Sequence, residues 1–190
     1  MLRCWDPRDA PLLAAAVEAS VEELRPWMPW AADEPTTLEQ RVALLRRFRG
    51  RFDLGEEFVY GIFESDESAV AGGTGLHTRA GEHAFEIGYW IRTDLGGRGL
   101  ATEATAALTR VAFELCAAER VDIRVDPANA RSLAIPRKLG FVEEATLRRR
   151  LSYPEPRDVV LYTMLRDELD ASAASAVALE AYDALGKRVL

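Results

Sequence analysis

Histidine and cysteine are scarce: the chain has His77 and His83, Cys4 and Cys116, and no others. Neither histidine stands near a cysteine, so the spacing of a zinc site is missing and no metal is expected. The cysteines lie too far apart for the dense disulfide framework of a small secreted domain, and both are expected as free thiols. No apolar run is long enough to span a bilayer, and Met1-Leu2-Arg3-Cys4-Trp5-Asp6 lacks the apolar stretch of a secretory leader. A cytoplasmic protein with no membrane partner is expected. Basic charge is also short. With 24 Lys and Arg against 31 Asp and Glu, the net charge is −7, which argues against a nucleic-acid partner, so any phosphate must be held by a local device.

What is present is enough apolar residue, 48% of 190 positions, for one domain with a full core. Leu12, Leu13, Ala16, Val17, Val21 and Leu24 recur at helical spacing and predict one helix from Asp9 to Leu24 with an Asp cap. The run Pro26-Trp27-Met28-Pro29-Trp30 breaks it, and a second helix is expected from Thr37 to Phe48. Strand-like runs follow at Phe58 to Phe63, Ala69 to Leu76 and Ala84 to Ile91, joined by turns short enough to demand an antiparallel meander. A helix over Ala101 to Ala118, a strand over Val121 to Val125 and a short helix ended by Gly140 come next. A hairpin of Ala145 to Leu151 with Asp158 to Leu165 closes the pattern. The chain divides on this reading into a domain of residues 1–169 and a helical extension of residues 170–190.

The segment Gly96-Gly97-Arg98-Gly99-Leu100-Ala101 carries the first chemical signal. It follows a strand and opens a helix, and its missing side chains let backbone amides converge where the helix dipole adds positive potential. An ordinary turn with glycines is the competing account. A dinucleotide loop fails because Thr102 replaces the third glycine and no βαβ unit precedes it, and no Gly-Lys-Ser or Gly-Lys-Thr follows for a triphosphate loop.

Three blocks together, Glu86-Ile87-Gly88-Tyr89-Trp90-Ile91, then Gly97-Arg98-Gly99-Leu100-Ala101-Thr102-Glu103-Ala104, then Asn129, Ser132 and Lys138-Leu139-Gly140-Phe141, resemble the GNAT N-acetyltransferases. The branch with the ribosomal-protein N-terminal acetyltransferases is the most similar. The resemblance implies an α+β fold: a strongly twisted, mixed, mostly antiparallel sheet flanked by helices and opened in a V between the strands ending at Ile91 and near Val125. It implies acetyl-CoA as co-substrate, with pantetheine along Trp90, Ile91 and Arg92, pyrophosphate over Gly96 to Ala101, and Asn129 at the cofactor arm. Two positions depart from the family pattern. Gly96 stands where a Gln or Arg is usual, and Pro136 stands where a tyrosine acid is usual.

Amine attack on a thioester needs a neutral amine, a home for the oxyanion and a partner for the leaving thiolate. Backbone amides near Tyr89 suit the oxyanion, Ser132 the sulfur, and Glu86 is the first candidate base, with an ion-pair partner as its other role. Trp27, Met28 and Trp30, followed by Asp33 and Glu34, suit a cationic amine or else staple the helices to the sheet. His77 is a further candidate for the acceptor side. Arg148-Arg149-Arg150 would favour an acidic acceptor only if strand alternation did not separate them. The expected activity is acetyl transfer to a primary amine, on a protein N-terminus or a small molecule; the alternative is an acetyl-CoA sensor without turnover. A homodimer is the expected quaternary state.

Overall fold

The computed structural model describes residues 1–190. Seven strands share one sheet: β1 (Leu2–Cys4), β2 (Phe58–Phe63), β3 (Val70–His77), β4 (Ala84–Ile91), β5 (Arg120–Val125), β6 (Val142–Leu151) and β7 (Arg157–Leu165). Their order across the sheet is β1-β2-β3-β4-β5-β7-β6. Every neighbouring pair is antiparallel except β4 and β5. The short turns after β2 and β3 permit only antiparallel neighbours, whereas the parallel step needs a crossover, which α4 (Leu100–Glu114) supplies. This is the mixed, mostly antiparallel sheet that the family resemblance implied.

Helices cover both faces. The core beside α4 and α5 (Ala130–Leu139) holds Leu76, Ile87, Leu108, Phe113, Ile123 and Tyr162, all within 2% of full burial. Burying each such side chain stabilises the fold by about 1.5–3 kcal/mol before entropy is counted. On the opposite face α1 (Ala10–Glu18) and α3 (Leu38–Asp53) pack Leu13, Val17 and Leu45 against Trp5, Phe63 and Val70.

The first helix is not continuous to Leu24. It stops at Glu18, and one further turn, α2 (Val21–Leu24), follows. Ser20 causes the break: fully buried, at φ −138°, it turns its Oγ to accept the Thr93 amide at 3.0 Å. A helical serine would satisfy its own turn, but this one ties the helical layer to the segment just before the glycine loop. Asp9 also differs from expectation. Its carboxylate binds Arg3 and the Asp6 amide instead of capping α1.

The expected C-terminal helix does not form. A 3-10 stretch, Arg166–Ala171, leads into turns with one isolated bridge, Tyr182 to Arg188. The apolar stripe that suggested a helix has nothing to bury against, since Leu185 is 93% and Tyr182 57% exposed, and a short helix without packing is unstable in water. Ala174 is nevertheless buried in the main core, and Val177 packs on it.

Candidate active site

Strands β4 and β5 pair only at Ala84↔Arg120, Phe85↔Val121 and Glu86↔Asp122, and beyond Glu86 they part. Two hydrogen bonds fix which way the β4 peptide groups point. The Arg92 amide donates to Ala71 in β3, and the His83 carbonyl accepts from Glu119 ahead of β5, both at 2.8 Å. Alternation along a strand therefore turns even-numbered peptide groups to β3 and odd-numbered ones to β5. The N–H and C=O of Tyr89 and Ile91 face the opening.

At the far end of this edge lies the glycine loop. Gly97 and Gly99 sit at φ 78° and 86°, where a side chain would strain the backbone, and Gly99 is the N-cap of α4. No backbone amide from residue 97 to residue 102 donates to a protein acceptor. With a helix of fifteen residues behind them, these converging donors fit a diphosphate. Gly96, at φ −59°, adds no side chain to the loop. Arg98 is exposed beside it. The Arg92 side chain turns away, to Asp94 at 2.7 and 3.0 Å and to the Val70 carbonyl, and its amide is spent on Ala71, so Arg92, expected along the pantetheine, offers the opening no free group.

On the other side of the opening, α5 begins at Asn129, whose Oδ1 accepts the Ser132 amide at 3.1 Å. Pro136 lies inside this helix, and without an N–H it leaves the Ser132 carbonyl short of its usual donor. The Tyr89 hydroxyl fills that place. Its Oη is 3.2 Å from the Ser132 carbonyl and 3.0 Å from Ser132 Oγ. Burial pushes the Tyr89 phenol up to about 12, the Ser132 hydrogen bond opposing this in part, so at neutral pH it holds its proton and acts as a donor. The carbonyl that Pro136 leaves without a helical donor is thus met by the Tyr89 phenol.

The opening widens into a cleft of about 1140 Å³. Trp27, Met28, Trp30 and Asp33 line it from the helical layer, and Arg150 and Leu151 from β6. Both tryptophans also anchor structure. The Trp30 ring packs on Trp90 with centroids 5.7 Å apart, and Arg157 stacks over Trp27 while pairing with Asp126. Trp90 can lie across β3 because Gly73 has no side chain, which would otherwise meet its indole nitrogen at 2.6 Å. Glu34 is committed to a buried ion pair with Arg41 at 2.6 Å, each side chain 7% exposed. A bulge between Leu147 and Leu151, with Arg149 at φ 52°, interrupts strand alternation and leaves Arg148, Arg149 and Arg150 all exposed.

Glu86 lines the cleft, but its carboxylate is held from two sides. Arg79 donates to Oε1 at 2.6 Å, and Arg124 Nε is 3.3 Å from Oε2. His77 lines it too, with Nδ1 2.7 Å from Glu57 Oε1. Glu57, Arg41, Arg79, Arg124 and the Asp126–Arg157 pair carried no motif that would have marked them. Their roles arise only when distant segments fold together.

A parallel strand pair parted at its C-terminal half, with free peptide groups along one edge and a bed of helix-N-terminal amides at its end, is the construction of an acyl-coenzyme A transferase. Residues 1–142 match the family described as the acetyltransferase (GNAT) domain. The chain belongs to that family and is an acetyl-CoA-dependent N-acetyltransferase. It is 28% identical over 169 residues to the putative ribosomal N-acetyltransferase YdaF of Bacillus subtilis, covering 88% of this chain and 91% of that one. It is 29% identical over 150 residues to the [ribosomal protein uS5]-alanine N-acetyltransferase of Escherichia coli, covering 76% and 75%. Among solved structures, Mycobacterium smegmatis RimJ in complex with CoA-disulfide superposes with a TM-score of 0.80 at 27% identity, over 92% of this chain and 85% of that one.

Proposed function

We propose that the enzyme acetylates the α-amine of a protein N-terminus. The observation that carries this is the shape of the cleft. Its two walls come from separate layers, Trp27 and Trp30 on one side and Arg150 and Leu151 on the other, and it runs on to Tyr89, Asn129 and Ser132 at the strand opening. An extended chain fits between such walls with its first residue at the strand opening. The names of the Bacillus and Escherichia relatives point the same way. Membership of an acetyltransferase family favours turnover over a sensor that only binds.

In this reading the amides of residues 97–102 hold the pyrophosphate, and the β4 edge takes the pantetheine as an added strand through the peptide groups of Tyr89 and Ile91, those of Trp90 and Arg92 being turned to β3. Asn129 stands at the arm. The Tyr89 and Ile91 peptide N–H groups supply donors where negative charge grows on the thioester oxygen. Ser132 Oγ, fixed by Tyr89, hydrogen-bonds the departing sulfur. A thiolate is a tolerable leaving group, so a neutral hydroxyl donor suffices there.

The test compares alanine- and serine-initiated peptides with small aromatic and aliphatic amines, following free thiol release. A kcat/KM at least about tenfold higher for peptides is expected, about 1.4 kcal/mol of added transition-state binding. Equal or better turnover of a small amine would overturn the peptide acceptor while leaving acetyl transfer intact.

A further inference from the structure

His77 and Glu57 form an ionisable pair near the apex of the opening that the acetyl transfer described above leaves without a role. Glu57 Oε1 lies 2.7 Å from His77 Nδ1, and Glu57 Oε2 accepts from Arg51 at 3.0 Å. Burial works against charge on Glu57, but the hydrogen bonds from His77 and Arg51 outweigh it and hold the carboxyl below its ordinary range. Glu57 is therefore an acceptor and the ring nitrogen facing it carries a proton, so that in the neutral ring the lone pair falls on Nε2.

That free nitrogen points along the sheet toward the chemistry. A Cβ on Gly75 would stand 3.2 Å from His77 Nε2, and one on Gly88 3.3 Å from it. These two glycines are paired across β3 and β4 and form the floor on which the imidazole lies. Gly88 is two residues beyond Glu86, the last β4 residue paired to β5, so the ring sits over the apex of the V. Glu86, the alternative base, has its carboxylate between Arg79 and Arg124. Its Oε2 accepts no hydrogen bond, but a proton there would cancel the charge that faces two cations. His77 gives up nothing.

We propose that His77 Nε2 is the general base that takes a proton from the acceptor ammonium, with Glu57 as its positioning residue. The proposal rests on amine acetylation as the reaction. An ammonium nitrogen sheds two protons in becoming an amide. The first passes to Nε2 and on to solvent. The amine lone pair then forms the C–N bond as the C–S pair leaves on sulfur, and the second proton ends on that sulfur as free thiol. Other charged groups around the ring are Arg51 behind Glu57, Glu86 with Arg79 and Arg124 beside it, and Arg47 and Arg150 across the cleft. The arginines stay charged throughout the working range, which leaves His77 as the partner of an amine that itself titrates near neutrality.

The experiment measures kcat/KM for wild type, His77→Gln, Glu57→Gln and Glu86→Gln, with an alanine-initiated peptide and with tryptamine, using whichever wild type acetylates faster. Acetyl-CoA affinity by calorimetry serves as the folding control. His77→Gln is expected to fall about a hundredfold at pH ~7; with the peptide it should approach wild type at pH ~9.5, where an α-amine is already neutral, and with tryptamine, an alkylamine titrating near the lysine value of about 10.4, the deficit should close only above that pH. Glu57→Gln should show a smaller deficit of the same pH dependence, and Glu86→Gln none. A deficit that stays constant with pH, or one that appears in Glu86→Gln and not in His77→Gln, would overturn the assignment. With only His77 and His83 in the chain, ring nitrogen NMR of the His83→Gln protein reads the tautomer directly: a proton on Nδ1 is expected, and one on Nε2 sinks the proposal whatever the acceptor. A faster tryptamine reaction refutes the peptide acceptor alone.

Discussion

The two sides of the cleft are built from different materials. On the donor side the working groups are backbone: peptide groups of Tyr89 and Ile91 freed where β4 leaves β5, and amides of residues 97–102 freed by the start of α4. On the acceptor side they are side chains, with Trp27, Trp30, the Glu34–Arg41 pair, the Glu57–His77 pair and Arg150 arriving from five separate elements and loops. A backbone site needs only the right local conformation, so glycines and a helix start are enough. A side-chain site needs every supporting element in place, and its chemistry can change with single substitutions while the donor side stands.

The largest effect should come from striking the backbone side. Gly97→Glu puts a carboxylate where phosphate charge belongs, and acetyl-CoA binding by calorimetry is expected to weaken about a thousandfold, about 4 kcal/mol. The positive φ of Gly97 also penalises any side chain, by about 1 kcal/mol. Gly97→Gln carries the same bulk and backbone cost without the charge, and a loss of tenfold or less there assigns the remainder to electrostatics. If glutamate is tolerated, the loop is not the phosphate site and the comparison collapses.

Arg41→Leu tests whether the acceptor wall is structurally separate. It strands the buried Glu34 carboxylate and should lower unfolding free energy in urea by about 3 kcal/mol. Below the transition, acetyl-CoA affinity should be unchanged within twofold. A parallel loss of donor affinity would show that the two sides are one unit.

This division also explains what could be seen in advance. The strands from Phe58 to Ile91, the glycine loop, α4 and the Asn129 cap are written in contiguous residues, because period, glycine placement and capping are local properties. The breaks were not legible. Ser20 ends α1 for the sake of Thr93, seventy-three positions on, and the residues after Ala171 stay non-helical because no surface receives Leu185. Nor was the contact at α5, where the Ser132 carbonyl that Pro136 leaves without a helical donor is met by Tyr89, forty-three positions before Ser132. Glu86 was visible as a cleft carboxylate, but Arg79 and Arg124 were not, and they decide what it can do.

Ser132→Ala sits where the two sides meet, at the sulfur. It removes a neutral donor and leaves a buried Tyr89 hydroxyl with only the Ser132 carbonyl. A fall in kcat of about tenfold to a hundredfold is expected, with acetyl-CoA affinity within twofold. Tyr89→Phe should fall less, because Ser132 keeps its own hydroxyl and only its orientation loosens. Should Tyr89→Phe prove the more damaging change, the phenol and not the serine contacts the leaving group.

The smallest effect, and the one most specific to the acceptor wall, belongs to Trp30→Ala. Its ring contacts Trp90 at 5.7 Å between centroids, and such an aromatic pair contributes about 0.5–1.5 kcal/mol beyond its buried area. If Trp30 also touches the acceptor, its loss should raise KM for the amine about fivefold while kcat and acetyl-CoA affinity hold. If Trp30 only staples the loop to the sheet, Tm falls and KM for the amine does not move. The Trp90 backbone stays on the donor edge in either case, because its place is set by β3 pairing at Gly73 and not by the indole, so a change in donor affinity in Trp30→Ala would mean that a side chain on one wall reaches through the strand to the backbone site on the other.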